Sequence, residues 1–380
     1  MMLLEHDAKA LLAASGVPVP EGILAESPDA EVAFPGPWIV KAQVPAGGRG
    51  KAGGIVAVET PAALRAALER LIGSTLKGHS VRGCRVEQAV GQAVEAYFSC
   101  MVDPASGRIR VMAAAEGGVD IEDPSRRDLL LSELAEPTPE AVTGAAAARA
   151  DRLADPPAAA IREAAAVLAS CFFELEALLL EINPLFIRPD GSWLAGDAKL
   201  VVDENAIPRR PALAALVERR AAAYPEVALK LAQGFDFVEL DPHGTIGLVT
   251  TGAGLSMQLV DELVQRGCKP VNFCDIRTGQ FRGDPARLIQ VFRWIAAHRS
   301  VRAVLINFFA GSTHLGELST LLLRALAEVP ELAVPITARL IGNGLAEAQA
   351  TIAAAGNPIA IETDLDRAVD LVIAAAGAAR

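Results

Sequence analysis

Apolar and polar positions follow two different rhythms along this chain. Residues 1–17 carry Leu3, Leu4, Ala8, Leu11 and Leu12 at helical spacing, and Gly16 with Pro18 ends the pattern. GPWIVKAQV (36–44) reads as a strand, PAGGRGKAGG (45–54) as a glycine- and cation-rich loop, and IVAVE (55–59) as a second strand. Thr60 before Pro61 predicts a capped helix bearing Leu64, Ala67, Leu68 and Leu71. CRVEQAV (84–90), AVEAYFSCMVD (93–103) and RIRVMAAAEGG (108–118) continue the strands. The Ala-rich stretch 126–177 reads as helix interrupted by prolines 137, 139, 156 and 157. Residues 178–203 read as strand, turn and strand, and an Ala-rich helical connector runs to about 235. Beyond it, short apolar strands at 245–251, 270–276, 302–309, 334–341 and 358–363 alternate with helix-patterned segments. That alternation calls for a doubly wound parallel sheet, whose ligands bind beyond the carboxyl ends of the strands. The loops around Thr250–Gly254 and Phe308–Thr313 fall there.

Composition narrows the class. The 380 residues carry 35 Lys+Arg against 46 Asp+Glu, a formal charge of −11, which argues against binding nucleic acid through overall positive charge. An apolar fraction of 52% excludes wholesale disorder, while 4% aromatics points to closely packed, Ala-rich helices. No stretch offers the ~18 uninterrupted apolar residues of a membrane span. The first residues place acids and a lysine where a secretion signal needs a basic start and an apolar stretch, so a cytoplasmic location is expected. Five cysteines (84, 100, 171, 268 and 274) form no CxxC, and their apolar neighbours suggest buried thiols.

Three segments carry chemistry. Lys41 interrupts an apolar strand, and a buried lysine needs an anion partner. Beside it Gly47, Gly48, Arg49, Gly50, Lys51, Gly53 and Gly54 form a flap whose backbone N–H groups and cations suit a polyphosphate. Glu87 and Glu95, at a strand end and the next strand's start, read as ribose-binding carboxylates or as solvated side chains. In EINPLFIRPDGSWLAGDAK, a turn at Pro189–Asp190–Gly191 with Gly191 left-handed centres a hairpin on residue 190. Paired positions then sum to 380, which sets Asn183 opposite Asp197 and Glu181 opposite Lys199, all on one face. Facing oxygen donors on a strand pair suit Mg²⁺, which takes few protein ligands plus substrate phosphates. The alternative is the polar face of a half-exposed hairpin.

Together these segments resemble the β subunit of succinyl-CoA synthetase, an ATP-grasp acid–CoA ligase. KAQVPAGGRGKAGG, EGGVDIE (116–122), LEINPL (180–185), DAKLVVDENA (197–206) and GAGLSM (252–257) follow that family's motifs in order. The resemblance implies an α/β protein with an ATP-grasp domain over residues 1–235, its flap near 45–54, and a flavodoxin-like domain over 240–380. It implies that Lys41 and the backbone of Gly48, Arg49 and Gly50 bind the phosphates of ATP or GTP. Glu87, Val90 and Glu95 would line the purine and ribose site, and Asn183 and Asp197 would hold Mg²⁺. Glu181 would meet a mobile phosphohistidine loop supplied, with the CoA site, by a partner α subunit. The implied reaction passes phosphate from nucleotide to histidine to a small carboxylic acid, before CoA displaces it.

The second domain departs from the pattern. Thr251 replaces an asparagine expected to contact the acid, Arg277 and Thr278 displace two glycines, and Gly311, Ser312 and Thr313 occupy the acid-binding loop beside His314. Val90 stands where a small hydroxyl residue is usual. Succinate, or another small acid such as malate, sulfoacetate or a further dicarboxylate, is the expected substrate. A non-catalytic regulatory subunit and a carbon–nitrogen ATP-grasp ligase are the rival readings.

Overall fold

The computed structural model describes residues 1–118, 130–277, 283–311, 313–356 and 359–378. EGGVDIE is thus described only to Gly118, and Thr278 and Ser312 lie outside the described residues. The chain divides into two units, Met1–Arg219 and Arg220–Arg380.

The first unit is built on two larger antiparallel sheets. One orders its strands Gly22–Ala25, Cys84–Gln88, Trp38–Ala42 and Ile55–Val58. Helix Pro61–Leu71 packs on it through Leu64, Ala67, Leu68 and Leu71, as its apolar spacing requires, and the Thr60 hydroxyl accepts the Ala63 N–H at 3.2 Å. The other sheet centres on Ala177–Ile187. This strand pairs on one side with Val94–Asp103, and on the other with Trp193–Ala195 and Ala198–Val202. Helices Pro139–Ala150 and Pro157–Glu174 bury alanines such as Ala145, Ala146, Ala164 and Ala165. With no side chain beyond Cβ, these positions let two helices approach closely.

Two local expectations change in this unit. The helix read over 1–17 spans Glu5–Ala14, because Leu3 N–H donates to Leu200 O at 2.9 Å and the first residues join the sheet edge. Within the stretch read as helical, Leu131–Ala135 is a strand paired with Arg108–Ala114. The segment itself, LSELA, carries a single alanine, and pairing with the edge of Arg108–Ala114 makes it a strand.

In the second unit Ile246–Thr250, Ala303–Ala310, Ile336–Gly342 and Ile359–Glu362 form a wholly parallel sheet in that order. Val304, Ile306 and Phe308 face the helices Ala286–Ala297 and Leu315–Ala327, while Ile246, Leu248 and Leu305 face Ala253–Gln265 and Leu365–Ala378. The strand expected at 270–276 is present as Asn272–Asp275, but it pairs antiparallel with Asp236–Glu239. It is stitched to the parallel sheet by backbone bonds at its two ends, Val271 N–H to Ile246 O at 2.8 Å and Ile276 N–H to Thr250 O at 2.9 Å, and by a side chain between them. Leu248 N–H donates to Asn272 Oδ1 at 2.9 Å, and Asn272 Nδ2 donates to Leu248 O at 2.8 Å. One carboxamide thus stands in for a ladder rung between those two backbone bonds. Among the described residues no helix is long and apolar enough to cross a membrane.

Candidate nucleotide and metal site

The hairpin register is the first positioning device. Leu180↔Leu200, Glu181↔Lys199, Ile182↔Ala198 and Leu185↔Ala195 all sum to 380, and Gly191 is left-handed at φ +85°. Pairing is interrupted at 183–184, where Asn183 N–H donates to Asp197 O at 3.3 Å and Gly196 N–H to Pro184 O at 2.9 Å. Asn183 and Asp197 therefore stand opposite one another, both half-buried.

The second device is a buried ionic cluster. Lys41 Nζ lies 2.9 Å from Glu5 Oε1 and 2.5 Å from Glu87 Oε1, and donates to Gly196 O at 2.7 Å. Lys9 Nζ meets Glu5 Oε1 at 2.9 Å, Glu87 Oε2 at 2.8 Å and the same Gly196 carbonyl at 2.7 Å. Arg49 turns inward from the flap, its Nη2 2.6 Å from Glu5 Oε2 and 3.0 Å from each Asp197 oxygen. Arg85 Nε donates to Glu87 Oε2 at 2.6 Å and Nη2 to Pro20 O at 2.8 Å. Four cations thus face three carboxylates. A site with this surplus of positive charge suits an incoming anion.

Burial acts on Glu5, Glu87, Lys9, Lys41 and Asp197. Alone it would push the Glu5 carboxyl up, but Lys41, Lys9 and Arg49 hold it well below its ordinary value. Glu87 is lowered in the same way, chiefly by Lys41 and Lys9 against its own burial. Burial lowers Lys9. Lys41 is raised despite burial, because Glu5, Glu87 and Asp197 surround it. Asp197 goes the other way: burial and the Glu5 charge push it up, against Arg49 and Lys41.

The flap is the strand–loop–strand expected. Trp38–Ala42 pairs with Ile55–Val58, and the tip folds on Arg49 O, which accepts the Gly54 N–H at 2.9 Å. Gly48 and Gly50 are exposed, and Gly48 has φ +65°. A second glycine segment closes on the hairpin. Gly118 N–H donates to Asn183 Oδ1 at 2.7 Å, and a Cβ on Gly118 would lie 2.1 Å from Glu95 Oε2. Glu95 is exposed at the start of its strand, and Val90 is half-buried in the loop before it. Glu87 does not share their exposure, because its carboxylate is committed to Lys9, Lys41 and Arg85. Glu181 is half-buried, and Tyr97 OH, itself hydrogen-bonded to Ser99 Oγ at 2.9 Å, donates to Glu181 Oε2 at 3.4 Å. Burial and the Glu181 charge raise the Tyr97 hydroxyl, which stays protonated as a donor.

Sequence reasoning did not single out Glu5, Lys9, Arg85 or Gly196. A signal existed for two of them: Glu5, Lys9 and Leu12 follow i, i+4, i+7, so a buried leucine predicts burial of the ion pair. Among the described residues no three His, Cys, Asp or Glu side chains converge as a metal site. The donors fit Mg²⁺ all the same. Asn183 and Asp197 offer hard oxygens, and Asp197 already holds a cation, the Arg49 guanidinium.

In the second unit Thr251 is buried, and its Oγ1 accepts the Phe309 N–H at 3.1 Å, tying two strand ends. Gly311 is exposed and Thr313 half-buried. His314 lies against Gly344, whose added Cβ would fall 2.4 Å from its ring, with Nε2 3.8 Å from Glu347 Oε2. Arg277, at φ +53°, donates to Asp236 Oδ2 at 3.0 Å.

This architecture is that of a nucleotide-binding ATP-grasp unit followed by a CoA-ligase unit, and family models for the ATP-grasp domain and the CoA-ligase match residues 2–187 and 249–373. The chain is 37% identical over 365 residues to the succinate–CoA ligase [ADP-forming] subunit beta of Chloroflexus aurantiacus, covering 93% of each chain. With the same subunit of Edwardsiella ictaluri it shares 35% over 393 residues, covering 99% of each. It belongs to the family of β subunits of ADP-forming succinate–CoA ligases. Among solved structures it is similar to ATP citrate lyase from Methanothrix soehngenii in complex with citrate and coenzyme A. The TM-score is 0.76 at 16% identity over 98% of this chain and 99% of that one, a likeness of fold.

Proposed function

We propose that the chain is the nucleotide-binding β subunit of a cytoplasmic ADP-forming acid–CoA ligase. The observation that carries this reading is the meeting of Lys41 with Asp197, which faces Asn183 across the hairpin, through the buried cluster, in a chain of this family. Lys41 and the backbone of Gly48, Arg49 and Gly50 bind the phosphates of ATP, and Val90 and Glu95 line its purine and ribose. Glu87 acts from beneath, fixing Lys41. Asn183 and Asp197 hold Mg²⁺, which when bound neutralises phosphate charge as the terminal phosphoryl group leaves. Glu181, oriented by Tyr97, receives the phosphohistidine loop of an α subunit, which also brings the CoA site. Lys41 keeps its proton throughout, since its carboxylate neighbours raise it, so it serves as a fixed cation and not as a base.

Thr251, Gly311, Ser312 and Thr313 bind a small carboxylic acid. Thr251 Oγ1 accepts the Phe309 N–H, which fixes its position and leaves the hydroxyl hydrogen to donate to a substrate oxygen. The acid is succinate or another small acid such as malate, sulfoacetate or a further dicarboxylate.

The test is acid-dependent ADP formation by this chain co-purified with its α partner, with CoA and Mg²⁺ present. Succinate, malate, citrate, itaconate, sulfoacetate and a monocarboxylate are compared. Turnover requires the partner, CoA and one preferred acid, and Asp197→Ala lowers it by about 10² or more. Partner binding with no turnover on any acid would instead support a regulatory subunit. Turnover of the isolated chain with an amine and no CoA would support a carbon–nitrogen ligase.

A further inference from the structure

Both oxygen sets assigned to the metal already carry a protein donor, and each donor comes from a glycine-bearing segment. Gly118 N–H is 2.7 Å from Asn183 Oδ1, and Arg49 Nη2 is 3.0 Å from both oxygens of Asp197. The two are not equivalent. An amide donor is neutral and brings no net charge to Asn183 Oδ1. Arg49 brings a full positive charge to the carboxylate a metal would use, and two cations on one carboxylate repel. Arg49 has an alternative: the same Nη2 is 2.6 Å from Glu5 Oε2, a carboxylate with 1% side-chain exposure. It can therefore leave Asp197 without becoming a buried, unpaired charge. Its backbone is also the pivot of the flap tip, since Arg49 O accepts the N–H groups of Ala52 at 3.2 Å and Gly54 at 2.9 Å.

Resting on the assignment of Asn183 and Asp197 as metal ligands, we propose that Arg49 is a positioning residue for Asp197, the resident counter-cation that the metal displaces, and that Glu5 retains it after the exchange. Loading of the metal and release of the glycine flap from the hairpin are then one event. Until the cation arrives, Arg49 keeps Asp197 oriented and the flap docked. Once Arg49 is confined to Glu5, the flap amides from Gly47 to Lys51 can close on phosphate oxygens.

The test uses the full chain without nucleotide and Mn²⁺ as the probe, its binding read by water-proton relaxation. Arg49→Gln tightens Mn²⁺ binding about tenfold, equivalent to about 1.4 kcal/mol. Arg49→Lys keeps the charge but cannot span both Asp197 oxygens and Glu5, and falls between Arg49→Gln and the native chain. In the native chain Mn²⁺ also speeds trypsin cleavage after Lys51, a readout that needs no variant to fold. Unchanged or weaker Mn²⁺ binding in Arg49→Gln, or no faster cleavage after Lys51 when Mn²⁺ is added to the native chain, overturns the exchange. Asp197→Asn separates the two layers of the argument. If it binds Mn²⁺ as the native chain does, the metal assignment itself fails; if it loses Mn²⁺ while Arg49→Gln gains none, only the exchange fails.

Discussion

Glu5→Gln probes the cluster most directly. Glu5 Oε1 lies 2.9 Å from both Lys9 and Lys41, and Oε2 2.6 Å from Arg49. The substitution keeps the shape and removes one charge, so four cations then face only Glu87 and Asp197. Breaking a buried ion pair by removing one partner costs about 3–5 kcal/mol. Lys9 and Lys41 keep Glu87, and Arg49 keeps Asp197, so the expected loss is at the low end, about 3 kcal/mol. Two units make whole-chain unfolding unsuitable as the readout. Native-state hydrogen exchange resolves the effect locally: amides of strands Trp38–Ala42 and Cys84–Gln88 should exchange about 150-fold faster, the equivalent of that loss. Strand Ala303–Ala310, in the second unit, serves as the internal reference. The pH dependence has a fixed sign. Glu5 is held below its ordinary 4.5, so its stabilisation is complete above that pH and is lost as pH falls through its folded value. The difference between native chain and variant is therefore full at neutral pH and shrinks below about 4.5. A loss under about 1 kcal/mol, within reach of an ordinary surface change, would refute the view that Glu5 organises the cluster. So would a difference that grows on acidification.

Two further substitutions test other joints of the structure. Gly118→Ala must adopt φ +67° and place a Cβ against Glu95, a strain of about 1–2 kcal/mol, so nucleotide affinity measured by calorimetry should fall about tenfold while exchange of the surrounding sheet stays unchanged. Asn272→Ala strands the buried N–H and C=O of Leu248, each worth about 1–3 kcal/mol, and should speed exchange in strand Ile246–Thr250 at least tenfold without touching the first unit.

The sequence by itself determined the hairpin register, because a side-chain period of two and a left-handed Gly191 leave one way to close the turn. It also determined the flap, the helix capped at Thr60, and the alternation of strands and helices in the second unit. These are local matters, set by backbone sterics and by neighbours within a turn or a strand pair. Only the tertiary structure decided what surrounds Lys41. Its partners Glu5 and Glu87 lie 36 and 46 positions away in sequence, and a lone glutamate in an amphipathic helix reads the same whether it faces water or an ammonium group. The use of Arg49 was equally hidden, since a cation in a glycine loop suggests an outward contact and the side chain turns inward. Leu131–Ala135 became a strand because a sheet edge needed a partner, and Asn272 took the place of a ladder rung because a carboxamide carries both a donor and an acceptor. In each case the deciding energy is a polar group finding its partner, and that partner is specified by the fold and not by the neighbouring residues.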